Sequence, residues 1–418
     1  ETYTATGLTN GADYTFTVIA YDAEGDASVE ATVSAMPEAA GPTPPGAVTG
    51  LTATAGDGEV TVSWTDPTDT DLDHIEITWS PGGTTPVSVA VGTETYTATG
   101  LTNGADYTFT VIAYDGDANA SVEATVSAMP EAAAPDVLYV TPTGTGDGLS
   151  WATAMGDIQD AIELAATYSG NEPEVWVVAG TYLPDSWPNG GTTTREMHFS
   201  LRSGVELYGG FNGTESTRAE RDPETHETIL SGDLGGDDTA VDQGIDLVLS
   251  NLTENVYHVF YHPTDIALDN TARIDGFTIQ GGNADDSSGA PHDAGGGIRN
   301  DDADPTIDNV TFRHNYARSG AGIANLNGSY PSIVGCEFLE NSALSNGGGI
   351  YTFGSNADPV VVRDCTFTGN RVQGTYGGGG SNGRNSTVHL VNCTFEYNHG
   401  GSYGGGVHMG DGITANCV

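Results

Sequence analysis

The sequence predicts an all-β protein: β-sandwich modules first, then a parallel β-solenoid, with one short capping helix. Three observations carry this. Residues 1–22, "ETYTATGLTNGADYTFTVIAYD", recur letter for letter at 94–115, a domain-sized period of 93. The last third of the chain returns every 26 to 29 residues to Phe-x-x-Asn, preceded by a run of glycines. Threonine, valine, tyrosine and asparagine are common, as pleated and turn-rich structure demands.

The full copy of the long repeat occupies residues 41–133. It reads as short alternating segments, "GEVTVSWTD", "HIEITWS", "ETYTATGL", "DYTFTVIAYD" and "ASVEATVSA", split by Gly, Asp and Pro clusters. That is the pattern of a two-sheet sandwich. Pro44–Pro45, Trp64, Leu101 and Tyr107 in "GLTNGADYTFTVIAYD" resemble the fibronectin type III family, whose core leucine and corner tyrosine they match. Residues 1–40 repeat only the second half of the module, so the chain is expected to be a piece of a longer protein. "PEAAGPTPPG" and "PEAAAPD" read as short, fairly stiff linkers.

Residues 134–255 read as a cap and the first coils of the solenoid. "DVLYVTP" is a strand. A helix is expected over about 154–168, with Ile158, Ile162, Leu164 and Ala165 on one face, and "EVWVVAGTY" is the next strand. Residues 256–418 form the ladder. Phe312, Phe338, Phe367 and Phe395 share one slot, and Asn315, Asn341, Asn370 and Asn398 follow each by three. A period near 28 suits one coil of three short strands. Stacked coils put like residues over like, so the rings should form a buried column and the asparagines one corner. The glycine runs then mark a tight corner with positive φ and no space for Cβ. Cys336, Cys365 and Cys393 share another slot and read as small buried side chains; Cys417 opens the next rung.

The paired phrases "GAGI", "GGGI", "GGGG", "GGGV" and "FRHN", "FLEN", "FTGN", "FEYN", within 270–418, resemble bacterial polymorphic membrane protein repeats. "WATAMGDIQDAIELA" with "VWVVAGTY" looks like the N-terminal cap of secreted right-handed β-helix proteins of the pectate-lyase-like type. The resemblance implies a secreted or cell-surface protein, often adhesive. Fibronectin-like modules would serve as spacers. The alternatives in that setting are a β-helix polysaccharide lyase or glycoside hydrolase and an extracellular filament subunit.

Charge narrows the partners. There are 57 acidic residues against 11 basic ones, all arginine, for a net charge of −46. Such a surface repels nucleic acid and anionic lipid. No apolar run approaches the roughly 20 residues of a membrane span. The partners expected are cell-surface glycans or proteins of a host or neighbour, or further copies of the chain.

For catalysis, the segment "PHDAGGGIRNDDADP" offers His292, Asp293, Arg299 and Asp301, with His314 one coil later. β-Elimination needs a base and a charge neutraliser, and hydrolysis needs two facing carboxyls. If the solenoid is a binding surface, these residues should lie apart or in turn hydrogen bonds. Calcium is the one cofactor to consider, at Asp301, Asp302 and Asp304 or at Asp69, Asp71 and Asp73, because hard cations take clustered oxygens. The loop "SGDLGGDDTAVD" is an acidic candidate of the same kind. His258 and His262, flanking "VFY", read as packed or solvated side chains more than as ligands.

Overall fold

A computed structural model describes the chain except at residues 1, 40, 42, 169, 243–246, 288, 290, 355–357, 375–378, 403, 410–414 and 418. The chain falls into two compact units, Glu1–Ala133 and Ala134–Val418.

In the first unit, residues 49–128 form the sandwich. Strands Thr49–Gly56, Glu59–Thr65 and Thr95–Thr99 make one sheet, and Gly83–Ala90, Leu72–Ser80, Tyr107–Asp115 and Ala124–Ala128 the other, all antiparallel. Alternate residues point inward, so Val60, Val62, Trp64, Ile75, Ile77, Phe109 and Val111 are buried together. The corner tyrosine does what its position promised: the Thr102 amide donates to the Tyr107 hydroxyl at 3.0 Å. The half-copy keeps this turn, with the Thr9 amide donating to the Tyr14 hydroxyl at 2.9 Å. Its hairpin, Tyr14–Val18 against Ala31–Ala35, nevertheless leaves Val18 and Val33 about two-thirds exposed. Identical letters give a local turn in both copies, but only the full copy supplies the second sheet that buries them.

The second unit is a parallel solenoid. Among the described residues it has three long walls, and the first has nine strands in order, from Val137–Val140 through Glu174–Val178, Glu206–Phe211 and Arg273–Asp275 to Ala415–Cys417. The second has seven, from Gly180–Tyr182 through Thr228–Ser231 and Thr278–Gln280 to Thr394–Glu396. The third has six, beginning Phe260–His262, Ile298–Asp301 and Ile323–Leu326. Every pairing within these walls is parallel. The capping helix is Ile158–Ala166, shorter than expected; the Asp157 carboxylate accepts from the Asp160 amide at 2.8 Å and starts it. Ile158, Ala161, Ile162 and Ala165 are buried, while Leu164 sits at the margin.

The column of rings is present. Phe312, Phe338, Phe367 and Phe395 stack with centroids 4.9, 4.6 and 4.6 Å apart and nearly parallel planes. The asparagine corner is a ladder of its own: Asn341 Nδ2 donates to the Phe312 carbonyl at 2.8 Å and to Asn370 Oδ1 at 2.9 Å, and its Oδ1 accepts from the Asn315 amide at 3.1 Å. The glycine runs have two separate reasons. Gly320 and Gly347, first in their runs, have φ of +62° and +52°. The third glycine lies under a phenylalanine: a Cβ on Gly349 would stand 2.6 Å from the Gly380 carbonyl and 2.9 Å from the Phe367 ring. Small is packed against large, coil after coil. Cys336 and Cys365 are buried free thiols and Cys393 a half-buried one, each directed at a carbonyl of the preceding coil. The Cys417 side chain lies outside the described residues.

Candidate functional site

Several polar side chains gather at the start of the third wall. Segment 196–200 runs beside strand Phe260–His262, with the Phe199 amide donating to the Val259 carbonyl at 2.8 Å and the Tyr261 amide to the Phe199 carbonyl at 3.1 Å. The Val259 amide donates to the Gly296 carbonyl at 3.0 Å, which brings in residues 291–296. A pocket of about 300 Å³ opens between these segments, lined by Asn189, Arg195, Glu196, His198, His258, Tyr261 and His292 among others.

Burial and hydrogen bonds bias several of the ionisable groups there. Burial holds His198 down at about 4; its Nδ1 donates to the Glu196 carbonyl at 2.7 Å. His258 Nδ1 donates to the Gly295 carbonyl at 2.7 Å, and complete burial, with Arg299 nearby, holds its pKa well below the usual value. Burial also lowers His292, whose ring stacks on Tyr257 at 4.2 Å. The backbone amide of Thr192 is the largest of several donors holding Glu196 at about 2, so it is ionised. Arg195 lies over the Tyr257 ring and bonds the Asn255 and Asn283 carbonyls and Asp285.

Arg299 sits in register beside Tyr261. Its side chain is only 4% exposed, and it donates to Asp301 at 2.7 Å and to Asp293 at 3.3 Å. Thus Arg299, Asp293 and Asp301 come together, with His292 on the neighbouring pocket wall. His314 does not join them. It pairs with Glu340 at 3.1 Å and faces a different groove, on the second wall's side. Of the two readings open for His262, packed or solvated, the structure has it packed, between Asn300 and the Leu201 amide.

Neither aspartate triad gathers. Asp301 is taken up by Arg299 and Asn327, Asp302 is exposed, and Asp304 accepts from the Tyr330 amide. Asp69, Asp71 and Asp73 are all exposed; Asp69 accepts from the Gly46 amide and Asp73 meets His74. Among the described residues, the group whose ligand atoms lie within 4.8 Å of one another is Asp233, Asp237, Asp238 and Glu254. The first three come from the loop "SGDLGGDD"; Glu254 is supplied from beyond a hairpin, which no local pattern reveals. Sequence reasoning also missed Asn189, His198 and Tyr261, which come from irregular coils without a repeating slot.

Residues 44–127 match the fibronectin type III domain family, and residues 251–417 the right-handed β-helix region family. Over 139 residues the chain is 38% identical to chitinase A1 of Niallia circulans, a match that takes in 32% of this chain and spans 19% of that protein. A β-1,2-glucanase from Parabacteroides distasonis is 24% identical over 27% of this chain and 17% of its own, with a TM-score of 0.19. The spore cortex lytic enzyme SleM of Clostridium perfringens is 20% identical over 21% and 28%, with the same TM-score. The chain therefore joins a fibronectin type III domain to a right-handed β-helix region.

Proposed function

We propose that this chain belongs to a secreted or cell-surface modular protein whose β-helix binds glycans on a cell surface, with the fibronectin domains as spacers. The observation that carries this over an eliminating enzyme is the state of Arg299. A lyase needs a cation free to neutralise the substrate's carboxylate beside its base. Arg299 is buried between Asp293 and Asp301. Arg195, the arginine that lines the pocket, already holds Asp285 and two carbonyls. The pocket offers hydrogen-bonding groups and ring faces, which suit a sugar, and a net charge of −46 disfavours acidic polymers. The two family matches fit a modular extracellular protein.

The test is incubation with immobilised neutral and acidic polysaccharides. We expect retention on a neutral polymer or on cells, with no unsaturated products and no new reducing ends. Turnover abolished by Arg299→Ala would overturn the binding reading, and so would absence of retention on every surface tried.

A further inference from the structure

Resting on that reading, we infer that the pocket of His258 is a subsite for one neutral sugar unit, with His258 Nε2 accepting a hydrogen bond from one of its hydroxyls. A carbonyl can only accept, so the bond from Nδ1 to the Gly295 carbonyl puts the ring proton on Nδ1. Nε2 then carries a lone pair. That atom is shut off from bulk water and has no hydrogen-bond partner, in a residue 4% exposed that lines the pocket. Buried acceptors are nearly always satisfied, so an orphan in a residue that lines a cavity marks where a donor belongs.

The rest of the pocket narrows the donor. A carboxylate or phosphate group has no proton to give, and the ionised Glu196 at the rim disfavours an anion while Arg195 is not free to receive one. Glu196 Oε2 accepts from the amides and hydroxyls of Thr192 and Thr193, and Arg195 is bonded to Asp285. His198 is satisfied at both nitrogens, by the Glu196 carbonyl and Asn189. What remains is a hydroxyl donor on an uncharged ligand. About 300 Å³ is at the small end of ligand pockets, room for one ring and not for a stretch of chain. The His292 ring, one face covered by Tyr257 and still 23% exposed, supplies a flat surface for the C–H face of a pyranose.

The probes are the methyl glycosides of glucose, galactose and mannose, together with N-acetylglucosamine and glucuronate, added at millimolar concentration to the isotope-labelled chain. Ring-nitrogen NMR reads His258 directly. At least one neutral sugar should shift Nε2, glucuronate should bind no tighter than the glucoside, and His258→Phe should weaken binding about tenfold by removing the acceptor. Because residue 258 is buried, His292→Ala at the rim is the second variant, and it should weaken the same sugar with an unchanged melting temperature. No shift with any sugar, meaning that Nε2 takes no donor from the ligand, would overturn the inference. So would unchanged binding in both variants. Polymer retention that persists in both variants sinks the subsite and leaves the surface-binding reading standing. A sugar held at His258 without retention on any polymer or cell does the reverse.

Discussion

The coils from Thr306 to Asn398 and those from Gly180 to His262 share the same walls but treat their side chains in opposite ways. In the later coils each slot repeats. Phe312, Phe338, Phe367 and Phe395 continue one inward column, and the asparagines another. Followed upstream, the same phenylalanine column reads Ile279, Leu230 and Tyr182. On the third wall the outward column reads Tyr261, Arg299, Ala324, Tyr351, with no repetition. A ladder gains by sameness, since each rung satisfies the next. A pocket needs the reverse: neighbours above and below that differ in size, so that a cavity and an unmatched polar atom can exist. The His258 pocket lies where the repeat has not yet begun.

The comparison breaks most visibly if a rung is removed. Phe338 is fully enclosed, with rings stacked on both sides. Phe338→Ala should cost about 3–5 kcal/mol in denaturant unfolding, because packed coils collapse poorly around the cavity. A cost under about 1 kcal/mol would mean that the column is not cooperative. Next in size is Asn341→Leu. It strips acceptors from the Asn315 amide and side chain and a donor from the Phe312 carbonyl, all buried. The expected loss is about 2–4 kcal/mol, since each buried group left unpaired costs about 1–3 kcal/mol and part is recovered by relaxation. Gly349→Ala tests the small-against-large packing. Its Cβ would press on the Gly380 carbonyl and the Phe367 ring, both held in the stack, so a loss of about 1–3 kcal/mol is expected. Gly236→Ala is the control, at a positive-φ glycine with open space around it. It isolates conformational strain from crowding.

The same difference decides what could be read from sequence. The rings, the asparagines and the glycine runs recur at a fixed distance, so period alone assigned them one slot, and the structure has them stacked. The sandwich was legible because its half-copy and full copy spell out the module twice. The pocket is built from residues as far apart as Asn189 and His292, joined only because coils of irregular length bring them level. His258 and His262 looked alike on paper. The structure separates them: His262 has partners at both nitrogens and His258 at one. Arg299 drew attention as an isolated cation among acids, and its neighbours Asp293 and Asp301 were in the same short segment. That they would close on it as ion pairs, leaving it unable to neutralise a substrate, depends on side-chain directions that spacing does not give.

The smallest expected effect belongs to the acidic loop, the irregular region's other uneven feature. Asp238 stands among Asp233, Asp237 and Glu254, and its Oδ1 is buried without a partner. Burial above all, reinforced by the neighbouring carboxylates and opposed by the Asn255 amide at 2.7 Å, pushes its pKa up to about 6. A carboxyl raised in the folded state favours folding while it is protonated. Its contribution is therefore present below the ordinary value near 4 and is lost as pH rises through about 6. Asp238→Asn keeps an oxygen for Asn255 and removes the charge. Its melting temperature should exceed the parent's at pH 7.5, and that gain should shrink towards pH 4. Water reaches part of the loop and screens the repulsion, so the gain should stay under about 1 kcal/mol. A gain that does not change with pH would point to packing and not to charge. A loss at both pH values would show that the carboxylate is doing structural work that the neutral side chain cannot replace.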